Sequence, residues 1–163
     1  MKIIKRYIFL LRKFHFSILR DGFKRADYLR KHKTLAGIGE NVYFYSRIMP
    51  AEPHMVKIGN NVVIATNVRF MTHDRVDLLI KWKYEKEVKK FVGPITVGNN
   101  VFIGCDTVIL PGVKIGNNCI VGAGSVVTKD LKSGGIYAGV PAKKIGTFDE
   151  FIKKRMKYYE TEK

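Results

Sequence analysis

Aliphatic side chains stand at Val97, Ile103, Ile109, Ile115, Val121 and Val127, one every six residues without a gap. Four places later in each hexad come Val101, Thr107, Val113, Cys119, Ser125 and Leu131, which are small or medium side chains. An α-helix repeats every 3.6 residues and a strand every 2, so neither needs a period of six. A coil does: short strands joined by tight turns, each sending one aliphatic side chain inward. Successive coils then stack, and their backbones pair with one another.

A longer phrase sets the number of sides. Ile38-Gly39-Glu40-Asn41-Val42, Ile58-Gly59-Asn60-Asn61-Val62, Val97-Gly98-Asn99-Asn100-Val101 and Ile115-Gly116-Asn117-Asn118-Cys119 are four copies of one pattern. The last two copies lie three hexads apart, so the coil is three-sided. Gly and Asn tolerate left-handed backbone angles and suit its corners. Ile58 and Val97 are separated by more than twice that spacing, which is one coil of three hexads plus an insertion. Hexads at Ile58, Ile64 and Phe70 keep the rhythm, so the insertion falls between about 75 and 94. A loop leaving a solenoid at one fixed point marks function.

Three parts follow: an arm over 1–35, a coil over 36–146 and a tail over 147–163. The arm is basic and apolar together. Lys2, Lys5, Arg6, Arg12, Lys13, Arg20, Lys24, Arg25, Arg30, Lys31 and Lys33 face only Asp21 and Asp27. Ile4, Ile8, Leu11, Phe14, Ile18 and Leu19 form a rough helical stripe between them. Such an arm either caps the first coil or lies on an anionic membrane through residues 1–33. The tail, with Phe148, Phe151, Ile152, Met156 and Tyr159 at helical spacing, is expected to be a helix over the last open coil.

Charge and cysteines narrow the setting. Thirty Lys and Arg against 14 Asp and Glu give +16, which attracts nucleic acid, anionic lipid or a phosphorylated cofactor without choosing among them. No nucleic-acid motif is present, so no nucleic-acid partner is expected. Cys105 and Cys119 form no CxxC and no disulfide framework, which suits a reduced compartment. The apolar run Tyr7 to Leu11 stops at Arg12, short of the about 7 residues a signal peptide needs. The expectation is a cytoplasmic protein, peripheral at the inner membrane face if the arm binds lipid.

Gly122-Ala123-Gly124-Ser125-Val126-Val127-Thr128-Lys129-Asp130, followed by Ala138-Gly139-Val140-Pro141-Ala142-Lys143, closely resembles the hexapeptide-repeat acetyltransferases. The nearest branches are the maltose, galactoside and nodulation-factor O-acetyltransferases, the xenobiotic acetyltransferases and the polysaccharide O-acetyltransferases. The likeness covers about 38–145, is strongest over 95–145, and leaves out the arm. It implies a left-handed parallel β-helix, a homotrimer with active sites between subunits, acetyl-CoA as acyl donor with no metal, and a sugar or glycan acceptor.

Among the four histidines, His15 and His32 lie in the arm, while His73 stands at the last regular position before the insertion. Similar enzymes have their catalytic histidine just before such a loop, which makes His73 the candidate general base. Asp74 is its neighbour, but consecutive strand residues point to opposite faces, so a backbone carbonyl is the expected partner for the second ring nitrogen. The resemblance assigns acetyl-CoA contacts to Gly104, Cys105 and Ala123 at the pantetheine amides and to Thr128 and Lys129 at the end of that groove. It assigns Pro141 and Lys143 to the adenine and 3′-phosphate end, and Lys144 is an added candidate there. Phe102 departs from the pattern, since many relatives have Trp there. Cys105 lines the acyl site on this reading; as a nucleophile it would lack a nearby histidine. Asn67 and Trp82 are acceptor-side candidates, although Trp82 equally suits packing on a neighbouring subunit.

Two other classes compete. β-Helix carbonic anhydrases need three zinc histidines, and only His54 and His73 lie near the coils. A non-catalytic scaffold would fit the charge but leaves His73 unexplained. N-acetylation of an amino sugar or nucleotide sugar is the alternative within the same family.

Overall fold

A computed structural model describes residues 2–161, with side chains from Tyr7 onward. The side chains of Lys2, Ile4, Lys5 and Arg6 in the basic stripe, and the tail beyond 161, lie outside the described residues. The coil is built from three sheets. The first contains β1 (Gly37–Ile38), β3 (Val56–Ile58), β6 (Ile95–Val97) and β9 (Lys114–Ile115). The second contains β2 (Val42–Phe44), β4 (Val62–Ile64), β7 (Val101–Ile103), β10 (Cys119–Val121), β12 (Gly135–Ala138) and β13 (Lys143–Thr147). The third contains β5 (Arg69–Phe70), β8 (Val108–Ile109) and β11 (Val126–Val127). The chain visits the three sheets in turn, and every pairing is parallel except that of β12 with β13. This is a three-sided parallel coil.

Register follows the hexads. Val62 lies opposite Val101, and Val101 opposite Cys119. Ile58, Ile64, Ile95, Ile103, Ile109, Ile115, Val121 and Val127 are all buried, as are the small partners Thr107, Cys119 and Ser125. The three-residue strands β3, β4, β6 and β7 each send two aliphatic chains into the prism, and the residues between them, such as Val63 and Phe102, face outward.

The Gly-Asn-Asn phrase has a physical reason at each letter. A Cβ on Gly59 would come within 2.6 Å of the Gly98 carbonyl oxygen in the next coil, so only glycine lets the corners stack. The first Asn accepts from the backbone of the coil before it: Asn60 N donates to Asn99 Oδ1 at 2.8 Å, and Asn99 N to Asn117 Oδ1 at 2.8 Å. The second Asn turns the corner with positive φ and joins a side-chain ladder. Asn41 donates to Asn61, Asn61 to Asn100 and Asn100 to Asn118, at 3.0, 2.8 and 2.8 Å.

The arm forms α1 (Lys2–Ile18) and α2 (Gly22–Lys31). Asp21 caps α2 by accepting from Lys24 N at 2.9 Å. Phe16, Ala26 and Leu29 extend the core beyond the first coil. Arg25, wholly buried, donates to the carbonyls of Phe44 at 2.8 Å and Tyr45 at 2.7 Å, and to that of Leu19. Burial and the charge of Arg47 lower its pKa, and the three carbonyls accept its hydrogen bonds. The arm therefore closes the edge at β2.

The other end differs from expectation. The edge of the second sheet is covered by β13, folded back antiparallel on β12. The tail helix α4 (Phe148–Thr161) runs along the outer face of the second sheet instead of over the last coil. Its Phe148, Phe151 and Ile152 face Val63, Phe102 and Ile120 across a cavity of about 580 Å³. The antiparallel strand satisfies the sheet edge that the helix would otherwise have had to shield.

Candidate active site

Past β5 the regular coil opens. Met71 N still donates to Ile109 O at 2.9 Å, in register with the coil below. The next residues turn to the returning end of the insertion. Gly93 N donates to Thr72 O at 2.9 Å, and His73 bridges Val92 in antiparallel fashion. The two ends of the insertion are thus zipped together at His73. Between them runs α3 (Val76–Tyr84), whose start is held by Asp74 Oδ1 accepting from Val76 N at 3.1 Å. Asp74 serves the helix and leaves the imidazole to another partner.

That partner is Glu52. Its Oε2 lies 2.7 Å from His73 Nδ1 and also accepts from Thr72 Oγ1. Its Oε1 accepts from Lys90 Nζ at 3.0 Å. Partial burial pushes the carboxyl's pKa up, but the hydrogen bonds from Thr72, His73 and Lys90 outweigh it and hold the value down to about 2. Glu52 is therefore an anion near neutrality. An anion only accepts, so Nδ1 carries a proton, and in the neutral ring the lone pair is on Nε2. The expected backbone carbonyl is replaced by a carboxylate, which fixes the tautomer and also stabilises an imidazolium once it forms. Glu52, Thr72 and Lys90 were all missed by sequence reasoning. One signal was available: Ile38 pairs with Ile58, a spacing slightly longer than three hexads. The surplus lies in the stretch between Phe44 and Val56, where the short 3-10 turn Pro53–Met55 follows Glu52. Beside the imidazole is a cavity of about 180 Å³, lined by Lys13, Met49, Ala51, Arg69 and Met71 with His73.

The remaining candidates fall elsewhere. Gly104, Cys105 and Ala123 occupy the corner between the second and third sheets. There Gly104 N donates to Val121 O and Gly124 N to Cys105 O, each at 2.8 Å. Cys105 and Ala123 are exposed, while Cys119 is buried in the core. Asn67 sits at the same corner with positive φ, its amide donating to Asp106 Oδ1 at 3.1 Å, so it works as a corner residue. Thr128 and Lys129 are exposed at the corner of Thr72 and His73, two coils further along. Pro141, Lys143 and Lys144 are exposed around the β12–β13 turn. Phe102 lies on the outer face of the second sheet under α4. Trp82, on α3, is 71% exposed. Within one chain, His73 and the Gly104–Cys105 corner stand at opposite edges of the third sheet and do not meet. Among the described residues, no three His, Cys, Asp or Glu side chains are grouped to hold a metal ion.

Known proteins share this framework. The family described as bacterial transferase hexapeptide (six repeats) matches residues 94–129. Protein CapG of Staphylococcus aureus is 50% identical over 101 residues, 62% of this chain and 58% of that protein. Galactoside O-acetyltransferase of Escherichia coli (strain K12) is 38% identical over 108 residues, 66% of this chain and 52% of that protein. The chain spans little more than half the length of these two curated relatives. Among solved structures, a galactoside acetyltransferase in complex with coenzyme A matches with a TM-score of 0.65 and 28% identity, over 91% of this chain and 83% of that one. The repeat, its three-sided stacking and these matches agree in what they resemble: the chain is similar to the hexapeptide-repeat transferases, and its residues 94–129 match that family's repeat.

Proposed function

We propose that the protein transfers an acetyl group from acetyl-CoA to a hydroxyl of a sugar or glycan, with His73 as general base. The observation that carries this reading is the Glu52–His73 pair, which leaves Nε2 free to accept a proton at the mouth of the inserted loop. In the reaction, the acceptor hydroxyl gives its proton to Nε2 as its oxygen bonds to the thioester carbonyl carbon. The C–S bond then breaks, and the imidazolium returns the proton to the leaving thiolate. Glu52 lowers the energy of the imidazolium between these steps. Acetyl-CoA supplies the activated acyl group. The open backbone at Gly104, Cys105 and Ala123 suits its pantetheine amides, and Lys129, Lys143 and Lys144 suit its phosphates. A complex of the related galactoside acetyltransferase with coenzyme A supports that donor.

The coil is left-handed on this reading, and three copies assemble. Assembly would bring His73 of one subunit against the Gly104–Cys105 corner of its neighbour, which a single chain keeps apart. The test combines radiolabelled acetyl-CoA with a panel of sugar acceptors. His73→Ala should lower turnover by about 10²–10⁴-fold with acetyl-CoA affinity nearly unchanged. Sedimentation should give the mass of three chains. Turnover in the variant equal to that of the parent removes His73 from the chemistry, and an active monomer removes the shared site.

A further inference from the structure

Helix α1 is docked by one face and bare on the other. Phe16 is fully buried against Phe44, ring centroids 5.7 Å apart, and Phe9 packs on the same core. Two residues further along a helix, a side chain has turned by about 200°. Leu11 and Ile18 stand at that offset from Phe9 and Phe16, and both are exposed. Tyr7, Leu11, Phe14 and Ile18 follow one another at spacings of four, three and four, so they share a face, which Ile8 and Leu10 widen. These six side chains are between 44% and 66% exposed. A helix at the surface of a globular protein ordinarily turns its apolar stripe to the core. Here the broad stripe faces away from it.

Charge selects the partner. The 17 residues of α1 contain no acid. Arg12 lies in the helix, Arg20 and Lys24 follow the stripe, and the whole chain carries +16. A second copy seated on this face would bring like charges together, whereas an anionic bilayer neutralises them while burying the stripe. Among the described residues no helix is long and apolar enough to cross a membrane. We propose that α1 lies in the plane of an anionic lipid surface. Its exposed apolar face sinks into the acyl boundary, and the exposed Arg12 and Arg20 reach the headgroups. Lys13 lies on the docked side, its ammonium 5.0 Å from the Phe9 ring centroid, and lines the cavity beside His73.

The test is co-sedimentation of the full chain with vesicles of phosphatidylglycerol and phosphatidylcholine, against vesicles of phosphatidylcholine alone. Binding should be at least about tenfold stronger to the anionic vesicles and should weaken as salt shortens the field. Leu11→Gln/Phe14→Gln removes apolar surface without altering charge and should lower anionic-vesicle binding about tenfold or more. Both side chains are exposed, so the melting temperature should hold; Ile8→Gln/Leu10→Gln provides the same test should it fall. Three results overturn the proposal. The protein ignores anionic vesicles at low salt; the Gln variants bind as the parent does, leaving only diffuse charge attraction; or they change the sedimentation mass but not vesicle binding, which assigns the face to a second copy.

Discussion

Two corners at either edge of the third sheet are built in opposite ways. At one, Cys105 and Ala123 sit one coil apart in the register that pairs Ile103 with Val121, joined by backbone hydrogen bonds of the kind that the other coils repeat. At the other, His73 is held by pieces that belong to no hexad: Glu52 from the surplus after β2, and Lys90 and Val92 from the insertion. The first corner is supported by repetition, so its shape depends on backbone closeness. The second is supported by side chains that arrive from distant parts of the chain, so its shape depends on their charge. Damage at the two corners should therefore be read with different instruments, stability at the first and turnover at the second.

The largest effect should come at the periodic corner. A Cβ on Gly104 would come within 2.5 Å of Ala123 N and 2.8 Å of Ala123 Cα. Those are backbone atoms locked by pairing on both sides, so they cannot yield as a flexible side chain would. Gly104→Val should destabilise by about 3 kcal/mol, lowering the melting temperature by roughly 6–12 °C. A melting temperature within a degree or two of the parent's would mean that the corners are looser than their register implies.

At the irregular corner, Glu52→Gln keeps the size of the side chain and removes its charge. The amide no longer stabilises an imidazolium, and turnover should fall about 10²-fold. The affinity for acetyl-CoA should not move, and the fold should persist near neutral pH. Stability should also lose a pH dependence. Because the folded carboxyl is held at about 2, below its ordinary 4.5, the stability it contributes is present above about 4.5 and is lost as pH falls through about 2. Melting curves between these limits should slope more steeply for the parent than for Glu52→Gln. Equal slopes and equal turnover would remove Glu52 from the site.

This contrast also explains what was legible in the sequence. The period of six, the coil of three hexads, the buried Thr107, Cys119 and Ser125, and the position of the insertion are all local, and each follows from spacing alone. The tautomer of His73 is not local. Glu52 lies more than a full coil upstream, in a stretch whose surplus breaks the rhythm, and nothing in a period announces which way such a bulge turns. Asn67 has a second role that its spacing did not announce. Its positive φ and its bond to Asp106 make it a corner residue of the coil, a role set by the backbone there. The same distinction applies to α4. Its stripe predicts a packed helix, but strand β13 decides which surface is left for it to cover.

The smallest effect tests why the repeats carry asparagine at their corners. Asn100 has φ 56°, accepts from Asn61 Nδ2 and donates to Asn118 Oδ1, both at 2.8 Å. Two features are thus combined in one exposed residue, and two substitutions separate them. Asn100→Gly removes both side-chain hydrogen bonds but adopts the left-handed backbone freely, so it should cost about 1 kcal/mol. Asn100→Ala removes the same bonds but keeps a Cβ, which in the left-handed region costs about 1–2 kcal/mol relative to glycine. Glycine also loses more backbone freedom on folding, by about 0.4–1 kcal/mol, and this narrows the difference. Alanine should therefore be the less stable by about 0.5–1 kcal/mol. Denaturant titration of the two variants beside the parent measures this gap directly. Equal midpoints would mean that the ladder alone selects asparagine. An alanine variant as stable as the parent would mean that neither feature does, and that the corner is held by its stacked glycines.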